Sequence, residues 1–112
     1  MTQIAPTGAN LLDQESREKL RPLYSGEEKG LDALAVVKFF TPDSSWTWYG
    51  SEFDGDDIFF GLVSGLALEF GYFSLSELMS VRGPWGLPIE RDLYFKPQTL
   101  RELRDKHRKE RR

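Results

Sequence analysis

Cysteine is absent from the 112-residue sequence, and histidine occurs once, at position 107. The first absence excludes disulfide bonds, Cys-ligated zinc and a thiol nucleophile, and it agrees with a reducing compartment. A single histidine near the chain end is too little for a His-based metal site, and without Gly-x-Ser-x-Gly it indicates no Ser-His triad. A P-loop and a Gly-x-Gly-x-x-Gly motif are also missing, so no glycine loop for phosphate is indicated.

Long apolar runs are missing as well. No stretch approaches the roughly 20 residues of a membrane-spanning helix, and the start, MTQIAPTGAN, lacks the basic and apolar segments of a secretory signal. We therefore expect a cytoplasmic protein with no membrane partner. The length favours one domain over residues 1–112, with a flexible arm at 1–9, the core domain at 10–98 and a basic helical tail at 99–112.

Charge is distributed unevenly along the chain. Residues 1–100 contain eight Lys and Arg against fifteen Asp and Glu, a net charge of −7, whereas residues 101–112 contain seven against three, a net charge of +4. Such a tail is typical of a solvated helix that frays. The alternative is contact with nucleic acid or an acidic protein surface, since clustered cations attract both. The residues for nucleic acid would be Arg101, Arg104, Lys106, Arg108 and Lys109.

The periodicity predicts an N-terminal helix followed by strands. Asp13 is placed to cap a helix that ends before Pro22. Four β-rich segments joined by short turns follow, at residues 31–40, 45–53, 57–64 and 67–73, and they predict a four-stranded antiparallel meander. Alternation in the second strand puts Trp46, Trp48 and Gly50 on one face and Thr47, Tyr49, Ser51 and Phe53 on the other. Both faces are largely apolar, so both need a cover.

The C-terminal third predicts two helices separated by an irregular segment. Ser74 and Glu77 form a capping-box pattern that opens a short helix, and Thr99 and Glu102 form another that opens a charged C-terminal helix. Between them, RGPWGLPIERDLYFKP is rich in Pro and Gly and is expected to wrap across the sheet without forming a central strand. Only Leu100 and Leu103 would hold the last helix, and nothing would anchor it beyond residue 104. The fold class is therefore α+β.

Three motifs in this order, KFFTPDSSWTWYGSEFDGDDIFFGLVSG, EFGYFSLSEL and GLPIERDLYFKP, resemble a bacterial family of unknown function, DUF2958. The lead-in LLDQESREKLRPLY is similar too, so the resemblance covers about residues 10–98 and leaves the basic tail outside. It implies a small stand-alone or fused bacterial domain, often found on plasmids and conjugative elements. It implies no activity.

Aromatic and acidic residues are concentrated in SSWTWYGSEFDGDD, residues 44–57. We predict that a partner binds on this aromatic and acidic sheet face, with contributions from the wrapping segment. The acids at 54–57 fit either an irregular cation site or a solvated hairpin tip, and the Asp54-Gly55 turn signal favours the tip, so no metal and no cofactor are assigned. The predicted binding residues are Trp46, Trp48, Tyr49, Glu52, Asp54, Trp85, Glu90, Arg91 and Tyr94.

Three functions remain open. The first is a non-catalytic binding or accessory protein of a bacterial mobile element, host-modulating or anti-defence, with a protein partner. The second is a nucleic-acid-binding domain that uses Trp46, Trp48 and the basic tail. The third is a small enzyme, which would need a cavity where Glu52, Glu90, Arg91 and Tyr94 converge. Arg91 is expected to pair with Glu52 or Glu69 of the sheet, either as a structural clamp or as a clamp for an anionic ligand.

Overall fold

Helices and strands are mixed along the chain in the computed structural model, which describes residues 11–26 and 28–111. The predicted α+β fold class is confirmed. The predicted flexible arm at residues 1–9 lies outside the described residues. The elements are α1 (Gln14–Lys19), a single 3₁₀ turn (Gly30–Asp32), β1 (Leu34–Ala35), β2 (Val37–Phe40), β3 (Thr47–Phe53), β4 (Ile58–Ser64), β5 (Leu68–Ser74), α2 (Leu75–Ser80), β6 (Glu90–Arg91), β7 (Gln98–Thr99) and α3 (Leu100–Glu110).

The main sheet is antiparallel and has the strand order β5-β4-β3-β2-β6. Its first four strands form the predicted meander, since each pairs with the next one along the chain. The fifth strand comes from the Pro/Gly-rich segment, which places Arg91 opposite Phe39 and Glu90 opposite Phe40. A two-residue strand at the sheet edge tolerates neighbouring prolines, and so a segment expected only to wrap across the sheet also extends it.

A second, two-stranded sheet links the middle of the chain to its end. β1 pairs with β7 in the register Leu34 opposite Thr99 and Ala35 opposite Gln98. The amide of Leu100 donates to the carbonyl of Ala33 at 3.0 Å. These bonds fix the start of α3 beside the main sheet. They also explain why the predicted strand 31–40 is broken, because its first part turns away to make this separate pair.

A β-bulge in β3 changes which residues face each side of the sheet. The pairing shifts between Gly50 and Glu52, so Ser51 is the extra residue. Beyond the bulge Phe53 lies opposite Phe59 and therefore on the face of Trp48, whereas Glu52 lies on the face of Tyr49. The prediction that Phe53 shares a face with Tyr49 was wrong, because strict alternation does not hold across a bulge.

Each face of the sheet has its own buried cluster. The first contains Val37, Phe39, Trp48, Phe53, Phe59 and Phe73 together with Leu11, Leu12, Leu20, Leu75, Leu78 and Ile89. The second contains Ala33, Ala35, Tyr49, Leu62, Leu100 and Leu103. One face is therefore covered by the segment around α1, by α2 and by Ile89. The other face is covered by α3. Residues after position 74 therefore pack on both faces of the sheet.

The helix ends follow the predicted capping chemistry. Asp13 accepts a hydrogen bond from the amide of Ser16 at 2.8 Å, and Ser74 accepts one from the amide of Glu77 at 3.0 Å. Thr99 and Glu102 form the reciprocal capping box at the start of α3. Within residues 11–26 and 28–111, no helix is both long and apolar enough to cross a bilayer.

Candidate functional site

The C-terminal helix is anchored along its whole length, which the sequence did not predict. The ring of His107 lies 2.6 Å from the phenol oxygen of Tyr49 in β3. One turn later Arg111 donates to the hydroxyl of Ser64 and to the carbonyl of Gly65, both at 2.9 Å. The prediction that nothing holds the chain beyond residue 104 was therefore wrong. These contacts fix the positions of the basic side chains on α3 relative to the sheet.

A polar cavity of about 490 Å³ lies between α3 and the strands β2, β3 and β4. The side chains of Tyr49, His107 and Glu110 form one part of its wall. The rest of the wall combines cations with hydroxyl groups: Lys38, Lys106, Arg111, Ser45, Thr47 and Ser64. Cations together with neutral donors are the groups that proteins use to hold phosphate oxygens.

Tyr49 and His107 form the uncharged centre of this cavity. Burial raises the pKa of Tyr49 to about 12, and the charges of Glu110 and Asp92 act in the same direction. The phenol is therefore protonated at neutral pH and can donate to Nε2 of His107. Burial also lowers the pKa of His107, and although Glu110 opposes this effect, nearby cations add to it. The lowered pKa favours the neutral imidazole. When Nε2 accepts the proton of the phenol, the proton of the ring is on Nδ1, which lies 3.9 Å from the carboxylate of Glu110.

A second group of cations lies on the other side of Arg111. Arg104 and Arg108 join Arg111 around a cleft of about 360 Å³ whose apolar wall is Leu68 and Phe70. We call the cations of both sites, together, the basic surface: Lys38, Arg104, Lys106, Arg108 and Arg111.

Two members of the basic surface already have carboxylate partners. Lys38 lies 3.6 Å from Asp92, and Arg104 lies 3.1 Å from Asp105. Lys106, Arg108 and Arg111 form no ion pair within the described part of the chain. These three members of the basic surface are therefore available to an anionic partner.

The other two predicted tail residues lie outside the basic surface. Arg101 forms an ion pair with Asp32 at 3.2 Å. Lys109 is exposed to solvent and lines neither of the two cavities beside α3. Three of the five residues predicted for nucleic acid, Arg104, Lys106 and Arg108, therefore lie together on the basic surface.

Trp46 lines neither cavity beside α3, and its ring lies against Trp48, whose side chain is on the opposite face of the sheet from Tyr49. Its ring centroid is 5.8 Å from that of Trp48, and its ring covers Gly65 so closely that a Cβ there would overlap it. The carbonyl of the same Gly65 accepts the hydrogen bond from Arg111. Trp46 is 36% exposed, whereas Trp48 is only 8% exposed and packs in the core. Trp46 alone of this pair is therefore available for stacking.

Glu52 is separated from these groups and is 5% exposed. Its two carboxylate oxygens accept hydrogen bonds from the amides of Tyr24, at 2.7 Å, and Gly26, at 2.8 Å. Beside it is an apolar cavity of about 370 Å³, which we call the aromatic cavity. Its aromatic walls are Tyr24, Phe60, Phe70 and Tyr72.

The predicted aromatic and acidic binding face is not formed as one surface. Trp48 is buried under one face of the sheet, and Tyr49 and Glu52 are buried under the other. Trp85 and Tyr94, by contrast, are 83% and 92% exposed, in the segment after α2. The amide of Trp85 is held by a carboxylate oxygen of Asp43 at 2.8 Å, a contact across 42 residues that has no local sequence signal.

The acids of the hairpin tip are used within the fold. One carboxylate oxygen of Asp54 accepts from the amides of Asp56, Asp57 and Ile58, and the first two bonds lower the pKa of Asp54 most. Asp57 accepts from the amide and the hydroxyl of Ser76 at the start of α2. No group of three potential metal ligands occurs in the described residues.

Arg91 does not pair with either predicted acid. Its guanidinium donates to the carbonyl of Leu11 at 3.3 Å and to the hydroxyl of Ser16 at 2.7 Å. Burial lowers the pKa of Arg91, and the charge of Asp13 opposes that shift. Because the bulge turns Glu52 toward the other face, Arg91 instead connects the edge strand β6 to the N-terminal segment.

The cavity proposed for an enzyme is divided between two places. Glu52 lines the aromatic cavity, whereas Glu90, Arg91 and Tyr94 line a separate one of about 310 Å³ next to Lys38. The required convergence of four side chains is absent from these cavities. Acid-base chemistry by that group therefore has no geometric support.

Sequence reasoning missed Lys38, Ser64, His107 and Arg111 as site residues. A signal existed for Lys38, since period-two alternation across the hairpin places it on the face of Tyr49. No signal existed for His107, because its partner is 58 residues away and the pairing depends on how α3 docks.

Comparison with known proteins identifies the family of the chain. The profile of a family described as "Protein of unknown function (DUF2958)" matches residues 11–106. The match confirms the resemblance and continues past its expected end at residue 98 into α3. No curated protein and no solved structure matches the chain.

Proposed function

Since the chain belongs to the DUF2958 family, which has no assigned function, we propose a function from the geometry of the structure. The protein binds single-stranded nucleic acid along the basic surface, and Trp46 is the ring on which a base stacks. The observation that carries this proposal is the polar cavity beside α3, where three cations and three hydroxyl groups surround a neutral Tyr49-His107 pair. Such a site suits phosphate oxygens of a nucleic-acid backbone, which supplies most of the affinity in this kind of binding.

Charge supports a polyanion over a single small anion. Lys106, Arg108 and Arg111 are the members of the basic surface that form no ion pair with another described residue, and they lie in two neighbouring sites that share Arg111. Successive phosphates of one strand could contact both sites, whereas a single phosphate would contact one. Hydrogen bonds to phosphate fix the position of the strand and are independent of its sequence.

The aromatic contact supports a single strand over a duplex. Trp46 and Arg111 both contact Gly65, so this glycine connects a partly exposed indole ring to the basic surface. A base can stack on such a ring only when it is not paired inside a helix. Trp48, which the sequence also suggested for stacking, supports Trp46 from below and does not reach the surface.

Replacing Trp46 tests the stacking contact. We expect Trp46→Leu to weaken binding of a fluorescent oligodeoxythymidine by about 1–2 kcal/mol, as lost stacking with one base should. The measurement is fluorescence anisotropy in low salt. Trp85→Leu is the matched control, because it removes an exposed tryptophan of another segment and should leave oligonucleotide binding unchanged. Equal binding by wild type and Trp46→Leu would reject Trp46 as the platform.

A protein partner is the second candidate, favoured by the exposure of Trp85 and Tyr94. Leu93, next to Tyr94, is also exposed, and large apolar side chains of this kind often mark protein contacts. We propose that the segment 84–95 is the docking surface for such a partner. Affinity capture with wild type and with Trp85→Ala plus Tyr94→Ala tests this: a partner retained equally by both would reject the surface. The bacterial mobile-element setting, the cytoplasmic location and the host-modulating or anti-defence role stay predictions.

A further inference from the structure

The aromatic cavity has a composition that the proposed nucleic-acid binding does not use. Apart from Glu52, its walls are mainly apolar, and they include Leu31, Ala33 and Leu100 besides the four aromatic rings. Its volume of about 370 Å³ falls at the lower end of the range usual for small-molecule sites. Among the described residues, Phe70 alone lines both the aromatic cavity and the cleft formed by Arg104, Arg108 and Arg111.

Among the described residues, Glu52 is the one acid in the wall of this cavity. No Lys, Arg or His forms an ion pair with it among residues 11–26 and 28–111, and its two carboxylate oxygens are held by backbone amides. Each oxygen has a second lone pair and can accept a further donor. A buried carboxylate without a cation attracts positive charge more strongly than an exposed one, because the surroundings screen it less.

The aromatic rings are arranged as connected walls. Tyr24 and Tyr72 meet edge to face with centroids 6.3 Å apart, and Phe60 and Tyr72 meet in the same way at 5.2 Å. Phe70 borders the same space and is partly exposed. Aromatic rings that border one space can attract a cation through their negative π-faces, and proteins recognise alkylated ammonium groups in this way.

We propose that the aromatic cavity binds a small alkylammonium ion, with the positive nitrogen near Glu52 and the alkyl groups against the rings. The carboxylate supplies the opposite charge, and the rings supply cation–π and apolar contacts. An anion would be repelled by Glu52. An uncharged apolar molecule would gain the apolar contacts alone and should bind more weakly.

Choline and its uncharged isostere 3,3-dimethylbutan-1-ol test the role of charge. Each is titrated into ¹⁵N-labelled full-length protein, with sodium chloride at matched concentrations as the ionic-strength control. We expect choline to shift the amide signals of Tyr24, Gly26, Phe70 and Tyr72, and the isostere to bind about tenfold more weakly. Equal affinity for the two probes, or choline shifts no larger than those from sodium chloride, would overturn the proposal.

Two phenylalanines from strands provide a matched pair of variants. Phe70→Leu keeps an apolar side chain but removes a ring, and we expect it to weaken choline binding roughly three- to thirtyfold. Phe40→Leu makes the same change on β2, outside the aromatic cavity, and should bind choline like wild type. If both variants bind choline as wild type does, the cavity is not the site. Choline binding is read independently of oligonucleotide binding, so either proposal can fail while the other stands.

Discussion

Glu52 connects the sheet to the loop that precedes the 3₁₀ turn, because its carboxylate accepts from the amides of Tyr24 and Gly26. We predict that Glu52→Ala lowers the free energy of unfolding by about 3 kcal/mol, since it removes two hydrogen bonds to a charged acceptor and leaves buried donors without one. Glu69→Ala on the exposed side of β5 is the control and should change it by less than about 0.5 kcal/mol. Urea denaturation measures both. Equal stability of the two variants would contradict the role of Glu52.

Gly61 allows β3 and β4 to approach closely. A Cβ at this position would overlap the carbonyl oxygen of Tyr49, whereas a Cβ at Gly71, its neighbour in the same row of the sheet, would meet no atom within 4 Å. We predict that Gly61→Ala lowers the free energy of unfolding by at least about 2 kcal/mol, because backbone must move. The free energy of unfolding of Gly71→Ala should be within about 0.5 kcal/mol of the wild-type value. Similar denaturation midpoints for the two variants would show that the close approach of the strands does not require glycine at position 61.

Predictability at the residue scale depends on how local each contact is. The capping roles of Asp13, Ser74 and Thr99 could be predicted because the acceptor and donor lie three residues apart. The environment of Glu52 could not, since it depends on a bulge at Ser51 that no local residue pattern announces. Strict alternation therefore assigned Phe53 to the wrong face of the sheet.

The helix α3 contributes a titratable contact to the fold. Burial lowers the pKa of His107, which faces Tyr49, Lys38, Lys106, Glu110 and Arg111. As the pH falls through about 6.5, the unfolded chain therefore takes up a proton on this ring before the folded protein does. The contribution of His107 to stability is present above this pH and is lost as the pH falls toward the folded-state pKa.

A His107→Gln variant isolates this effect, because glutamine can still accept from the phenol of Tyr49. We predict that the wild-type protein loses more stability than His107→Gln between about pH 7.5 and about pH 5. Thermal or urea unfolding at several pH values measures the difference, and the acids common to both proteins cancel. Parallel pH profiles would show that His107 does not have a lowered pKa in the fold.

Helices and strands could likewise be predicted where they depend on local residue patterns, and not where they depend on distant partners. The start of α3 was predicted from its capping box, and β2 to β5 were predicted from periodicity and turn residues. β6 and β7 have two residues each and exist only because of partners far along the chain. The docking of α3 beyond Leu103 was missed because it depends on Tyr49 and Ser64, which only the folded sheet brings near.

At the scale of the whole molecule, an acidic body carries one helix with excess positive charge. Folding places that helix over the sheet, where Lys38 joins the cations of α3. The charge asymmetry was visible in the sequence, and Trp46 was predicted to act with the basic tail. The hydroxyl groups of the cavity were not predicted, since they come from separate parts of the chain. The meander order was predictable because its connections are short. The need for a cover on both faces was also predictable, but the segment that covers each face was not, because residues after 74 contribute to both.

The salt dependence of single-strand binding tests the central claim most directly. For an oligodeoxythymidine of about 12 nucleotides, three available cations predict a slope of about −2 for the logarithm of the binding constant against the logarithm of salt concentration. Lys106→Gln with Arg108→Gln should reduce that slope to about −0.7. Lys19→Gln with Arg21→Gln removes equal charge near α1, on the opposite face, and should keep the wild-type slope. A wild-type slope near zero, or equal slopes for the two double variants, would contradict nucleic-acid binding by the basic surface.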